Sequence, residues 1–144
     1  MPKLKILIAE DEPVSLRLME ASLTIWGYEA VSAKDGVEAQ ALLQTGDVQI
    51  CIIDWEMPKV NGIELCKWIR ENCFPSPYIM MLTNRSKAEE IRAGYAAGID
   101  SFVSKPFDRT VLRARIVGAS RRFFLNPVPL PVLRHLTATE RNVN

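Results

Sequence analysis

Short apolar runs alternate with amphipathic stretches five times along the chain, and this pattern predicts the fold. Runs rich in leucine and β-branched residues fit strands, while apolar residues at every third or fourth position fit helices. The predicted strands cover residues 4–9, 28–33, 48–53, 78–82 and 101–104. The predicted helices cover residues 14–26, 37–45 and 62–71, a segment capped by Ser86 that ends at Gly98, and a segment capped by Asp108 that runs to about residue 124.

The regular alternation of strand and helix is typical of an α/β domain with a parallel sheet. The third apolar run, residues 48–53, is apolar at most positions, which indicates a sheet covered on both faces. Right-handed crossovers then place helices on both faces. We expect a single domain over residues 1–124, followed at residues 125–144 by a proline-containing tail or a linker to an absent output domain.

Composition narrows the class of protein without identifying a chemistry. The chain has 144 residues, 48% of them apolar and 24% charged, which fits one globular domain. A net charge of +1 does not favour direct nucleic-acid binding or a membrane-surface protein. Neither a signal peptide nor a membrane-spanning run is visible, and Cys51, Cys66 and Cys73 lack metal-type spacing, so we expect a cytoplasmic protein with reduced thiols.

Polar residues stand where the apolar runs end, and the carboxyl ends of parallel strands meet at one edge of a sheet. They are Glu10, Asp11 and Glu12 after the first strand, Asp54 after the third, Thr83 after the fourth and Lys105 after the fifth. Carboxylates about 4 Å apart repel each other by roughly 4 kcal/mol, unless a cation lies between them. Oxygen ligands suit Mg²⁺ or Mn²⁺, and Asp54 could then attack phosphorus as a nucleophile.

Four motifs in order carry a resemblance to a known family. They are "ILIAEDEP", "DWEMPKVNG", "MLTN" and "SKPF", which begin at residues 6, 54, 81 and 104. With the fivefold alternation of strand and helix, the chain resembles the receiver domain of two-component response regulators from residue 4 to about 124. The resemblance implies a flavodoxin-like (βα)₅ fold with a five-stranded parallel sheet in the order 2-1-3-4-5.

The resemblance also implies roles for the acidic residues. Asp54 would be the phosphoacceptor, and Asp11 would bind Mg²⁺ directly while Glu10 binds it through water. The backbone carbonyl of Glu56 would complete the protein ligands, and Mn²⁺ could take the place of Mg²⁺ in such a site. Glu12 is expected to be only a solvated acid beside the helix-starting Pro13.

Three further positions would read out the phosphoryl group. Thr83 would bond to it, and Lys105, preceding Pro106 in a cis peptide, would pair with it. Phe102 occupies the position of the switch aromatic, where the ring follows the threonine in a two-state transition. The surface of the fourth helix, fifth strand and fifth helix would then change, and it could also support a homodimer.

Four side chains around the site depart from what is common in the family or lie where they could control access to the phosphoryl group. These predicted access modulators are Trp55, Glu56, Asn84 and Arg85. Trp55 is expected to be partly exposed beside the phosphoacceptor. Phe102 lacks the hydroxyl of the commoner tyrosine, so no switch can depend on that hydrogen bond.

The resulting hypothesis is a signalling switch and not a turnover enzyme. A histidine kinase or phosphotransfer protein would donate the phosphoryl group to Asp54, and the switched surface would control an output domain or effector protein. One alternative is a phosphohydrolase that forms an aspartyl phosphate, since Glu56 lies two residues after the nucleophile. The other is a phosphate-independent interaction module with a vestigial site.

Overall fold

The computed structural model describes residues 3–124, and the predicted tail at 125–144 lies outside them. These residues form five parallel strands, each followed by a helix. The elements are β1 (Lys5–Ala9), α1 (Pro13–Ile25), β2 (Glu29–Ala33), α2 (Gly36–Leu43), β3 (Ile50–Asp54), α3 (Gly62–Asn72), β4 (Tyr78–Thr83), α4 (Ala88–Ala97), β5 (Ser101–Ser104) and α5 (Arg109–Phe124).

The sheet order is β2-β1-β3-β4-β5, so the predicted fold class and strand order are confirmed. The register aligns the carboxyl ends of the central strands. Ala9 pairs with Ile53, Asp54 with Leu82, and Thr83 with Ser104. Because strand order reverses between β1 and β3, the crevice beyond these ends is the place where such sheets bind ligands.

Two apolar clusters, one on each face of the sheet, form the core. Alternate strand residues face α2 and α3 on one side and α1 and α5 on the other. β3 is buried at all five positions, as its continuous apolar run indicated. The central strand β3 therefore packs against side chains on both faces, and this packing fixes the position of Asp54 at its end.

The residues that cap α1 and α4 differ from the sequence prediction. The prediction that Ser86 caps the fourth helix is wrong, since the cap position is Lys87 and carries no side-chain hydrogen bond. The extended loop after β4 delays the helix, because the Arg85 amide donates to the Thr83 hydroxyl instead of entering a helical turn. Glu12 is also more than a solvated acid, as its carboxylate caps α1 by accepting from the amides of Val14 and Ser15.

Other expectations agree with the structure. Asp108 accepts hydrogen bonds from the first amides of α5, as a cap should. Cys51, Cys66 and Cys73 are free thiols, and burial raises the pKa of Cys66 to about 11. No helix between residues 3 and 124 is long and apolar enough to cross a bilayer.

Candidate acidic phosphoacceptor site

Three carboxylates meet at the carboxyl edge of the sheet. Oxygen atoms of Glu10, Asp11 and Asp54 all lie within 4.8 Å of one another. Glu10 and Asp54 are buried, with 0% and 2% of their surface exposed, whereas Asp11 faces solvent. The strand ends that were expected to converge do converge, because β1 and β3 are adjacent and in register.

Asp54 accepts hydrogen bonds from two donors, one distant in the sequence and one two residues away. Its Oδ2 accepts a hydrogen bond of 2.8 Å from Lys105 Nζ, and its Oδ1 accepts one of 3.1 Å from the amide of Glu56. Burial alone would lower the pKa of Lys105, but the hydrogen bond and charge of Asp54, with Glu10 and Asp11 nearby, raise it. Lys105 therefore stays a cation beside the acid that it contacts.

Glu10 carries an electrostatic cost that its neighbours among residues 3–124 offset only in part. Neither of its buried oxygens has a hydrogen-bond partner among the described residues, and the Lys105 ammonium is 3.7 Å from Oε1. Burial, together with the neighbouring Asp54, raises the pKa of Glu10 to about 7. A buried acid left without a partner is rare, and it indicates a site prepared for a proton or a cation.

A divalent cation fits this arrangement. The donor set consists of carboxylate oxygens without histidine or thiolate, which suits Mg²⁺ and not zinc. The exposed Asp11 opens the site to solvent, so a hydrated ion that keeps several waters can enter. The unpartnered oxygens of Glu10 are the groups that such an ion, or its waters, would satisfy.

Thr83 ends β4 beside this cluster. Its side chain is buried, and its hydroxyl oxygen accepts a 2.9 Å hydrogen bond from the amide of Arg85. Its carbonyl accepts from the amide of Lys105 at 3.1 Å. The peptide between Lys105 and Pro106 is cis, as the resemblance implied. Thr83 is thus joined both to Lys105 and to the loop that leads into α4.

Phe102 lies half-buried between α4 and the loop that follows β3. Its ring centroid is 6.2 Å from that of Trp55 and 5.1 Å from that of the exposed Tyr95. A methyl group added to Gly94 would lie 2.4 Å from the Phe102 ring, so this glycine makes room for the aromatic side chain. The predicted switch residue therefore packs against α4 itself.

Arg85 joins the loops around the site through its side chain. The guanidinium binds the carboxylates of Glu56 and Glu90, and it lies 4.8 Å from the centre of the Trp55 ring. The expectation that Trp55 is partly exposed is wrong, because Arg85 and Phe102 cover the indole and leave 8% of the residue accessible. Asn84, the remaining predicted modulator, is exposed.

Sequence reasoning missed Glu90 as a member of this cluster. Its only visible signal was an acid in the first turn of α4, which the helix dipole explains equally well. Glu90 meets Arg85 across the short loop between β4 and α4, so the contact depends on the path of that loop and not on the helix pattern.

An apolar groove of about 430 Å³ opens beside the acids. Val14 and Leu18 of α1 form one wall, and Pro106 and Phe107 form the other, with Glu10 and Lys105 also lining it. Val14 is 72% exposed, which is unusual for an aliphatic side chain next to a polar site.

A doubly wound α/β domain with an acidic pocket, a hydroxyl and a lysine at the switch point belongs to the class of proteins that bind phosphoryl groups and cations there. The chain belongs to the response regulator receiver domain family, whose profile matches residues 6–117. It is therefore the receiver domain of a two-component response regulator.

Individual relatives agree with this assignment. The chain is 38% identical over 119 residues to the uncharacterized transcriptional regulatory protein YrkP of Bacillus subtilis, covering 83% of this chain and 50% of that protein. It is 38% identical over 117 residues to a chemotaxis protein CheY homolog of Campylobacter jejuni, covering 78% and 89% of the two chains. The crystallised CheY4 of Vibrio cholerae superposes with a TM-score of 0.77 at 28% identity, covering 82% of this chain and 99% of that one.

Membership of the family carries the general properties of receiver domains. Receiver domains are signalling switches and not turnover enzymes, they bind Mg²⁺ in an acidic pocket, and they interact with histidine kinases and output domains. The chain spans about half the length of the transcriptional regulators that it matches, and most of the length of the CheY homolog.

Proposed function

We propose that this receiver accepts a phosphoryl group on Asp54 from a histidine kinase or phosphotransfer protein and passes the change to an output domain or effector. The observation that carries the proposal is the setting of Asp54. Its buried carboxylate lies between the Lys105 ammonium and the Glu56 amide, next to the unpartnered acid Glu10. A carboxylate that only capped a helix would not have to lie buried beside a lysine and a second acid.

The chemistry is a direct displacement at phosphorus. A carboxylate oxygen of Asp54 forms a bond to phosphorus while the bond from phosphorus to the donor's imidazole nitrogen breaks. The electron pair of that bond stays on the imidazole nitrogen, and the phosphoryl group carries its charge to Asp54. Lys105 is in place to neutralise an equatorial oxygen, and the Thr83 hydroxyl can donate to another.

The cation site in this proposal uses Asp11 and Asp54 as direct carboxylate ligands and the backbone carbonyl of Glu56 as a third ligand. Glu10 holds the ion through water, which satisfies the buried oxygens that have no partner in the described part of the chain. When bound, Mg²⁺, or Mn²⁺ in its place, supplies positive charge that offsets the repulsion among the carboxylates and the incoming phosphoryl oxygens.

The apolar groove of Val14, Leu18, Pro106 and Phe107 is the docking face for the phosphodonor in this proposal. A phosphohistidine must come within bonding distance of Asp54, so the donor has to cover the sheet edge where the groove lies. An amphipathic helix that bears the histidine could place its apolar residues in the groove and its charged phosphoryl group over Lys105.

The output of the switch is assigned to α4, β5 and α5. Thr83 is the proposed sensor, because its hydroxyl accepts from the Arg85 amide in the loop before α4. Phe102 is the proposed switch aromatic, because it packs between α4 and Trp55 of the loop after β3, which we call the phosphoacceptor loop. This face can engage an output domain, an effector or a second copy in a homodimer. We place the reaction in the cytoplasm, assign residues 1–124 to the receiver, and treat residues 125–144 as a tail or a linker.

Trp55, Glu56, Asn84 and Arg85 are the proposed modulators of access to the phosphoryl group. The contact between Arg85 and Glu56 argues against the alternative of a phosphohydrolase, because a general acid or base should not be tied to a guanidinium. The intact set of acids, hydroxyl and lysine argues against the alternative of a vestigial module.

The direct test is the intact mass of the protein after treatment with phosphoramidate and Mg²⁺. The native chain should gain one phosphoryl group, Asp54→Asn should gain none, and chelation of the metal should prevent the gain. Asp47→Asn is the matched control, because Asp47 is exposed and pairs with Lys5 instead of a site residue. An unchanged mass for the native protein, or labelling of Asp54→Asn, would refute the assignment of Asp54. Sustained release of phosphate from a small ester would favour the hydrolase.

A further inference from the structure

Arg85 connects the loop that follows β3 with the first turn of α4. Its guanidinium binds Glu56, which follows the phosphoacceptor, and Glu90, which lies in the first turn of α4. It also covers Trp55 at 4.8 Å. We call the set of Arg85, Glu56 and Glu90 the Arg85 latch.

The first turn of α4 has few other contacts to hold it. Only Gly94 and Ala97 are buried in this helix, and both lie in its second half. The cap position, Lys87, makes no side-chain hydrogen bond to the free amides of the first turn. Glu90 is bound to Arg85 and does not belong to a capping box, so the latch is the main polar tether of this turn among the described residues.

The backbone of Arg85 is joined to the proposed sensor of the phosphoryl group. The Arg85 amide donates to the Thr83 hydroxyl at 2.9 Å, whereas the side chain of the same residue binds Glu56 and Glu90. A movement of the Thr83 hydroxyl towards Asp54 therefore removes the acceptor of the amide that positions the latch.

We propose that the Arg85 latch holds the first turn of α4 against the phosphoacceptor loop in the unphosphorylated protein and opens when Asp54 is phosphorylated. This inference rests on the proposed function, since it takes Asp54 as the phosphoacceptor. Opening frees the amino-terminal part of α4 and uncovers Trp55. The latch thereby decides how much of α4 is available to a partner in each state.

Two physical effects act in the same direction on phosphorylation. The Thr83 hydroxyl turns to the phosphoryl oxygens and leaves the Arg85 amide without its acceptor. The phosphoryl group also adds negative charge close to Glu56, and this charge competes with Glu56 and Glu90 for the guanidinium. Both effects weaken the same tether, and neither requires a change in the hydrophobic core.

Amide hydrogen exchange of the 144-residue chain, resolved to the first turn of α4, tests the inference directly. In the unphosphorylated protein, Glu90→Gln should speed exchange in residues 91–94, whose amides donate the helical hydrogen bonds that close the first turn, by roughly threefold to tenfold, because the turn loses its tether. Glu89→Gln is the matched control, since Glu89 is the exposed neighbour on the same turn and does not bind Arg85. The control should leave the exchange unchanged.

Phosphorylation of the native protein with phosphoramidate and Mg²⁺ should speed exchange in the same four residues by a similar factor. In Glu90→Gln, where the tether is already lost, phosphorylation should add little. Equal exchange in the two states of the native protein would overturn the proposal, and so would equal exchange in Glu90→Gln and Glu89→Gln.

The two proposals fail in different ways. If the native mass does not increase with phosphoramidate, the assignment of Asp54 fails, while the comparison of Glu90→Gln with Glu89→Gln still tests the tether. If the mass increases in the native chain and not in Asp54→Asn, but exchange in residues 91–94 stays constant, Asp54 is the phosphoacceptor and the latch is only a surface ion pair.

Discussion

Two arginines at opposite edges of the sheet differ in the kinds of groups that they bind. Arg70, at the amino edge, donates to the carbonyls of Pro77 and Gly98, the Ser76 hydroxyl and the Asp100 carboxylate. Arg85, at the carboxyl edge, binds two side-chain carboxylates, and one of them, Glu56, is exposed.

The difference lies in what each arginine holds. Backbone carbonyls move only when the chain moves, and Asp100 is itself fixed by the Ile79 amide at 2.8 Å. Carboxylates on long, solvated side chains can release a guanidinium at small cost. The amino edge is therefore built to stay in place, while the carboxyl edge has contacts that a single added charge can rearrange.

Arg70→Gln should give the largest loss of stability, because it removes several donors to partly buried acceptors at once. We expect the free energy of unfolding to fall by about 2–4 kcal/mol, measured by urea denaturation. Phosphoryl uptake at Asp54 should persist in the folded variant. Arg92→Gln, on the exposed face of α4, is the control and should change stability by less than about 0.5 kcal/mol. A loss of stability for Arg70→Gln as small as that of the control would show that Arg70 does not stabilise the amino edge of the sheet.

Glu10 should make the stability of the metal-free protein fall as the pH rises. Its pKa is about 7 in the folded protein against an ordinary 4.5, so the folded state binds the proton more tightly. The contribution is complete below about pH 4.5 and is lost by about pH 7, on the order of 1–3 kcal/mol.

Urea unfolding in a chelating buffer between pH 5 and pH 8 measures this effect. Glu10→Gln should remove the decline and weaken Mg²⁺ binding, and the exposed Glu89→Gln should retain the native profile. If the free energy of unfolding depends on pH in the same way for the native protein and Glu10→Gln, ionisation of Glu10 does not lower the stability of the fold.

Gly94→Ala and Gly118→Ala should change stability in opposite directions. At Gly94 the new methyl group would meet the Phe102 ring at 2.4 Å, so we expect a loss of about 1–3 kcal/mol. At Gly118 nothing described lies within 4 Å, and alanine should stabilise the helix by about 0.5–1 kcal/mol. Thermal unfolding measures the change in stability of each variant. A stable Gly94→Ala would mean that Phe102 can leave its place against α4 freely.

Arg85→Gln should have the smallest effect on stability, about 1 kcal/mol or less, because its carboxylate partners are partly solvated. Urea denaturation beside Arg70→Gln gives the comparison directly. A loss for Arg85→Gln as large as that for Arg70→Gln would show that both edges are built for stability.

Much of the fold was predictable because local signals and burial agree. β3 is buried on both faces, so its sequence is apolar up to Asp54. The motif after it predicts a turn, which places Asp54 at the end of the strand. The errors came from local hydrogen bonds that residue preferences alone do not indicate. Ser86 is a good cap residue, yet the loop after β4 is drawn towards Thr83. Glu12 is a poor cap residue by preference, yet the chain places its carboxylate over two free amides.

The sequence by itself determined the order of strands and helices, the family, and the set of polar residues at the ends of β1, β3, β4 and β5. These follow from short-range periodicity and from the rule that parallel strands end at one edge. Only the tertiary structure decided that Glu10 lacks a hydrogen-bond partner within residues 3–124, that Trp55 is covered, and that Arg85 reaches Glu56. The reason is that burial, strain and ion pairing depend on side chains brought together from distant parts of the chain.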